Sequence, residues 1–296
     1  VDSAASPRGS IAEARVWLNT NFGYAGSNNR DPACVWGCEL TRPPASLVSW
    51  GSTPSITGGI NMTRARLMTA LLALTLPASA HAYTGIQVKD GGTIAGQVRF
   101  LGKVPPPKTF AVTQDPKVCG ETRTAIPEIV IDKGQGLKNS VVFIQAIKQG
   151  KAAKPGKATL ANVNCHYEPR VLAFVVGTEL AVSNSDPILH NTHIKLPRSD
   201  VFNYGLPRKG QVITSTIRRT GLMKVGCDAG HTWMRGWVAV FDHPYFAITG
   251  ADGKFSMKDV PPGTYKLAFW HEKLGRKVQT VTVTAKAEAK ASVDFK

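Results

Sequence analysis

The chain has 296 residues, of which 43% are hydrophobic and 19% charged, with a formal net charge of +16. That length holds one large domain or two ordinary ones. The positive charge would suit nucleic acid, but the lysines are scattered, as in "KQGKAAKPGK" (148–157), and no aromatics are interleaved with them, so nucleic-acid binding is not expected.

Residues 1–61 are rich in Ser, Gly, Asn and Pro and show neither a period of 2 nor one of 3.6. They read as an upstream extension produced by a start site assigned too far upstream. Residues 62–82, MTRARLMTALLALTLPASAHA, combine Arg64 and Arg66, an apolar run from Leu67 to Leu76 and the small-x-small site Ala80-His81-Ala82. Those are the three parts of a secretory signal peptide. The apolar run is far shorter than the roughly 20 residues that span a bilayer. A periplasmic or secreted protein is expected, with residues 83–296 as the mature chain.

Beyond residue 83 helical signals are nearly absent. Short stretches rich in Val, Ile, Thr and Phe recur instead: 92–101, 140–147, 170–176, 179–184, 211–217, 222–227 and 236–242, separated by Gly, Pro, Asn and Asp. Gly177-Thr178 suits a hairpin turn between two of them. The expectation is an all-β sandwich or barrel. From residue 245 the alternation becomes stricter, with further strands at 245–249, 254–260, 264–272, 276–283 and 290–296. Asp252-Gly253-Lys254-Phe255 and Val260-Pro261-Pro262-Gly263-x-Tyr265-x-Leu267 carry a resemblance to the transthyretin-like, carboxypeptidase-regulatory-like β-sandwich. It covers about 50 residues and implies a small accessory sandwich at 244–296. That segment is short for a sandwich of its own and is expected to borrow a strand from 92–147.

Three cysteines follow the export signal. Cys119 and Cys165 have no ligand-type neighbours and are expected to pair in an oxidising compartment. Cys227 is left over, and metal ligation would protect its thiol. In "LMKVGC" the side chains of Met223, Val225 and Cys227 share one face, while Lys224 marks the other as wet, so Cys227 ends its strand pointing inward. The loop "DAGHTW" then returns to the strand "GWVAVFD", with His231 and Met234 beside the return. A fourth ligand has to come from another strand at the same end. "VSNSDPILHNTHIKLP" (182–197) supplies His190 and His193, whose offset of three does not place both on one face. His190 is favoured because Asn191 after it could hydrogen-bond across the site and brace the Cys227 loop; His193 is the alternative. His166, His243 and His271 are expected at surfaces or edges, and Trp233 and Trp237 in the packing of the sandwich.

Two imidazoles and a thiolate with a distant axial thioether form the blue-copper ligand set. Soft sulfur favours Cu(I), imidazole suits both oxidation states, and zinc gains little from Met. Residues from about 160 to 243 resemble a cupredoxin of the plastocyanin, amicyanin and azurin kind. The matching features are a strand, Asn-x-Asp (184–186), His190-Asn191, a second strand leading to Cys227, His231 and Met234, and a closing "GWVAVF" strand. The resemblance implies a Greek-key cupredoxin sandwich over 83–243. It makes His190, Cys227 and His231 the equatorial ligands of one copper ion, Met234 the axial ligand and Asn191 the brace. Three residues, Asp228-Ala229-Gly230, separate Cys227 from His231, the spacing of a binuclear copper centre. Such a centre needs a second cysteine where this chain has Met223, so a mononuclear site is expected.

Single-electron transfer is the leading functional expectation, with an acidic redox protein such as a cytochrome as partner and peripheral contact with an anionic membrane or envelope surface as a further use of the charge. Copper storage or delivery, and a non-metal envelope- or carbohydrate-binding sandwich, are the alternatives. No Ser-His-Asp or paired-carboxylate pattern stands out, so an enzyme is not expected.

Overall fold

The computed structural model describes residues 82–296, in which nearly every element is a strand. The expected upstream extension (1–61) and signal peptide (62–82) lie outside the described residues, apart from Ala82. Among the described residues no helix is long and apolar enough to cross a membrane.

One pair of sheets forms the first sandwich. Its four-stranded sheet runs in the order Val212–Thr216, Glu179–Asn184, Lys157–Val163, His166–Glu168. Its five-stranded sheet runs Ser199–Leu206, His190–Leu196, Gly221–Gly226, Arg235–Phe241, Val171–Val175. Alternating apolar residues of the two sheets, Leu160, Leu180 and Val182 on one side and Ile194, Met223, Val225, Val238 and Val240 on the other, fill the space between them. Lys157–Val163 pairs in parallel with Glu179–Asn184, and Val171–Val175 in parallel with Arg235–Phe241. Parallel neighbours need crossovers, which corrects the hairpin expected at Gly177-Thr178. Gly177 takes a φ of 89°, and its turn carries the chain from one sheet to the other.

The remaining strands form a second pair of sheets. One runs Phe246–Ile248, Val141–Gln145, Gly263–His271, Gly275–Val283; the other runs Lys254–Val260, Gly92–Phe100, Glu288–Lys290, with Val293–Phe295 also on Gly92–Phe100. The strands Gly92–Phe100 and Val141–Gln145, far upstream in sequence, thus share sheets with the C-terminal strands. Ile94, Val98, Val142, Ile144, Leu267 and Phe269 are its fully buried centre. Gly96 permits the closure, since a Cβ there would lie 1.6 Å from the carbonyl oxygen of Ala291.

The two sandwiches meet through the outer face of the five-stranded sheet. Val171, Ala239 and Phe241 pack against Val141, with Phe143, Leu222, Trp237, Phe246 and Trp270 around them. The face expected to be wet is therefore covered along Val171–Val175 and Arg235–Phe241. Lys224 reaches water from its rim, with its Nζ 5.6 Å from the centre of the Trp237 ring.

Candidate metal centre

Strand period places the first imidazole. Residues 190, 192 and 194 of His190–Leu196 turn toward the core, where Ile194 packs and Thr192 accepts a hydrogen bond from Asn162 Nδ2 at 3.2 Å. His193 points to the opposite side, where Nδ1 lies 2.6 Å from Asp228 and Nε2 2.7 Å from Asp200. The geometry thus separates the two histidines that sequence reasoning left as alternatives and puts His190 at the site.

His190 is fully buried. Its Nε2 lies 2.8 Å from Asp186 Oδ2, and its Nδ1 has no partner. Cys227, the free and buried thiol, ends the strand Gly221–Gly226 facing inward. Its sulfur accepts the Asn191 backbone N–H at 3.3 Å and lies 3.5 Å from His231 Nδ1. His231 is also fully buried, with Nε2 3.0 Å from Asp115 Oδ2. One ligand atom from each of His190, Cys227 and His231 fits within a mutual spacing of 4.8 Å, and the two imidazole centres are 4.7 Å apart.

Each histidine therefore has one nitrogen held by a carboxylate and the other on the thiol side or unengaged. A buried nitrogen with no partner is costly, and a metal ion between these three residues would satisfy it. A carboxylate on the far nitrogen is what orients a ligating histidine. Two imidazoles and a thiol are donors that copper takes, so the residues present fit the ion the ligand types suggested. A second grouping, Cys165 with Asp186 and His190, offers less. Cys165 is bonded to Cys119, so its sulfur is not a thiolate.

Met234 is buried in the same core, and its backbone N–H donates to the His231 carbonyl at 2.9 Å. Asn191 spans the two loops: its Oδ1 accepts the Asp228 backbone N–H at 3.2 Å, and its Nδ2 donates to Asn203 at 2.8 Å. Trp233 stands edge-on to His231 at 5.3 Å, against Phe110 at 5.6 Å, with its indole N–H on the Cys165 carbonyl at 3.1 Å.

Sequence reasoning missed both carboxylates. Asp186 belongs to the Asn-x-Asp stretch four residues before His190, and that spacing was a usable signal. Burial alone would push the Asp186 carboxyl up, but the N–H groups of Cys165 and Asn164, each at 2.8 Å, and the His190 ring hold it below its ordinary range. Burial lowers the basicity of the His190 imidazole, partly offset by Asp186. Asp115 gave no signal, because it arrives from a segment 116 residues away in sequence. The helical turn Pro116–Cys119 and the ribbon of Thr109–Ala111 with Thr122–Thr124 carry it. Gly230, with a φ of 91°, lets that segment close in, since a Cβ there would lie 3.1 Å from Gln114. Cys119 and Cys165 form a disulfide that fastens the segment to the sandwich.

Two of the three histidines expected at surfaces are buried. His271 is fully enclosed and His243 nearly so, each accepting a backbone N–H at Nδ1, from Lys273 and Tyr245 respectively. Sequence spacing could not show that these positions fall where strands turn back into packed aromatics, such as Phe241 beside His243. His166 is half-buried beside Glu168.

Comparison with known proteins gives partial likenesses. The family model described as polysaccharide lyase family 4, domain II, matches residues 229–291. No curated protein matches the chain. Among solved structures, a novel purple cupredoxin from Nitrosopumilus maritimus is 22% identical, with 28% of this chain and 99% of that one covered and a TM-score of 0.24. The Cu-containing nitrite reductase of Thermus scotoductus SA-01 is 22% identical over 34% of this chain and 25% of its own, with a TM-score of 0.26. A methionine-to-alanine mutant of amicyanin in its Cu(I) form is 23% identical over 29% of this chain and 82% of its own, also at 0.26. At such scores these likenesses carry no argument about chemistry, which rests on the side chains themselves. The described chain is all-β, with a sandwich in which His190, Cys227 and His231 meet.

Proposed function

We propose that this chain is a periplasmic copper-binding protein that passes single electrons to and from a redox partner, and is not an enzyme. His190, Cys227 and His231 would hold a single copper ion, with the thioether of Met234 as a fourth, weaker donor, in a type-1-like site. The observation that carries this reading is the pair of fully buried imidazoles beside a free buried thiol, each with its Nε2 engaged by a carboxylate. Bound copper would supply the one-electron couple. The protein's part is to hold the donors fixed: Asp186 and Asp115 orient the rings, and the Asn191 N–H steadies the sulfur. Burial of all three donors favours retention of the ion over rapid exchange, which speaks against storage or delivery. The positive charge would steer the protein to an acidic partner, such as a cytochrome, with a rate that falls as salt rises.

The test is the visible and paramagnetic-resonance spectrum of the mature chain loaded with Cu(II). An intense thiolate-to-copper absorption is expected, abolished in Cys227→Ser. A colourless protein that retains no copper would refute the reading. A second reading, a carbohydrate- or envelope-binding module, has the family match at 229–291 as its support. A melting temperature that copper leaves unchanged would favour it.

A further inference from the structure

A cleft of about 690 Å³ lies between the segment 104–129 and the far side of the Cys227–Met234 loop. Its apolar walls come from Phe110, Trp233 and Ile126 and from the prolines at 105–107 and 127. Its charged groups are unevenly matched. Arg170 is taken by Glu272, and Lys273 by Glu128, the one carboxylate in the lining. Arg123 donates to the carbonyls of Cys119 and Asn164, which leaves its charge uncompensated. Lys108 and Arg235 have no carboxylate partner among the described residues, where Arg235 Nε reaches only the Thr232 carbonyl at 3.4 Å. Three cations thus stand around a floor that holds the Trp233 and Phe110 rings 5.6 Å apart.

We propose that this cleft binds a small organic anion with a flat apolar body, of the aromatic carboxylate or sulfonate class. The volume falls in the range of small-molecule sites and is concave where a protein-docking surface would be flat. Flat apolar groups gain from burial against the indole and phenyl rings, and an anionic group would meet guanidinium and ammonium donors at the cleft's edge. Nothing in this assignment requires metal at His231. Because Trp233 touches His231 edge-on, an occupied cleft would also be felt at the metal centre.

The probe is 8-anilinonaphthalene-1-sulfonate, titrated by fluorescence into the mature chain, both metal-free and copper-loaded. Saturable binding at one site is expected in both forms, with benzoate competing and the uncharged N-phenyl-1-naphthylamine bound at least tenfold more weakly. Lys108 and Arg235 are exposed, so Lys108→Gln/Arg235→Gln should leave the unfolding midpoint unchanged while weakening the sulfonate at least tenfold. Lys290→Gln, on an exposed residue outside the cleft, should bind as the parent does. Equal binding of the neutral analogue, parental binding by the double variant, or no saturable binding would overturn the proposal. These outcomes are separate from the copper reading, which stands or falls on the absorption spectrum.

Discussion

His231 is gripped from two sides, with Cys227 Sγ at 3.5 Å from one nitrogen and the Asp115 carboxylate at 3.0 Å from the other. Asp115 keeps its side chain about a third exposed, so its removal leaves little buried void, but the ring loses the acceptor that fixes its orientation. Asp115→Ala is therefore expected to weaken copper binding about 10- to 100-fold, read by competition with a chelator, whereas Asp115→Asn should retain much of the affinity. Unchanged affinity in Asp115→Ala would show that the carboxylate merely covers the ring. At this scale the grouping of His190, Cys227 and His231 was legible in the sequence, because thiol and imidazole are rare types and Cys227 lay in strand phase. The carboxylates behind them were not, because Asp is common and its role depends on a contact between distant segments.

At the scale of elements, the strand His190–Leu196 escaped the pattern of alternating apolar residues because its inward positions include the polar His190, on Asp186 through Nε2, and Thr192, on Asn162. Ser199–Leu206 escaped for a different reason, since only Phe202 and Leu206 of its residues are buried. The Val- and Ile-rich strands were plain by comparison. The element that closes over His231 is tied covalently to the sandwich by the Cys119–Cys165 bond, which spans a sequence separation of 46. Chain-entropy reasoning assigns such a loop about 4 kcal/mol. Cys119→Ser/Cys165→Ser should lower the unfolding free energy by up to roughly that amount. It should also speed copper loss to a chelator, because Asp115 sits four residues from Cys119 and Asp186 accepts the Cys165 N–H. A variant that loses stability yet releases copper at the parental rate would show that the segment plays no part in retention. In the parent, a thiol reagent should find Cys227 only after unfolding, since it is free but buried.

For the whole molecule, the question is whether two sandwiches joined at one face behave as one cooperative unit. At their junction Arg170 and Glu272 form a two-point ion pair of 2.5 and 2.9 Å, with side chains only 11% and 5% exposed. Trp237 donates its indole N–H to the same carboxylate at 3.1 Å. Arg170 lies beside the strand Val171–Val175 of the first sandwich, and Glu272 follows Gly263–His271 of the second, so the pair ties the two together. Breaking one partner of such a pair leaves a buried charge with no counter-ion, a loss of roughly 3–5 kcal/mol, whereas replacing both with apolar groups costs far less. Glu272→Ala should therefore be severely destabilising and Arg170→Met/Glu272→Leu much less so, measured by urea unfolding as a double-mutant cycle. Calorimetry adds the decisive readout. If the junction couples the sandwiches, the parent melts in a single transition and Glu272→Ala splits it into two, the lower belonging to whichever sandwich has the smaller core. Two transitions in the parent itself would mean that the covered face of the five-stranded sheet contributes contact area without cooperativity, and that copper bound at His190, Cys227 and His231 could raise the melting temperature of the first sandwich alone.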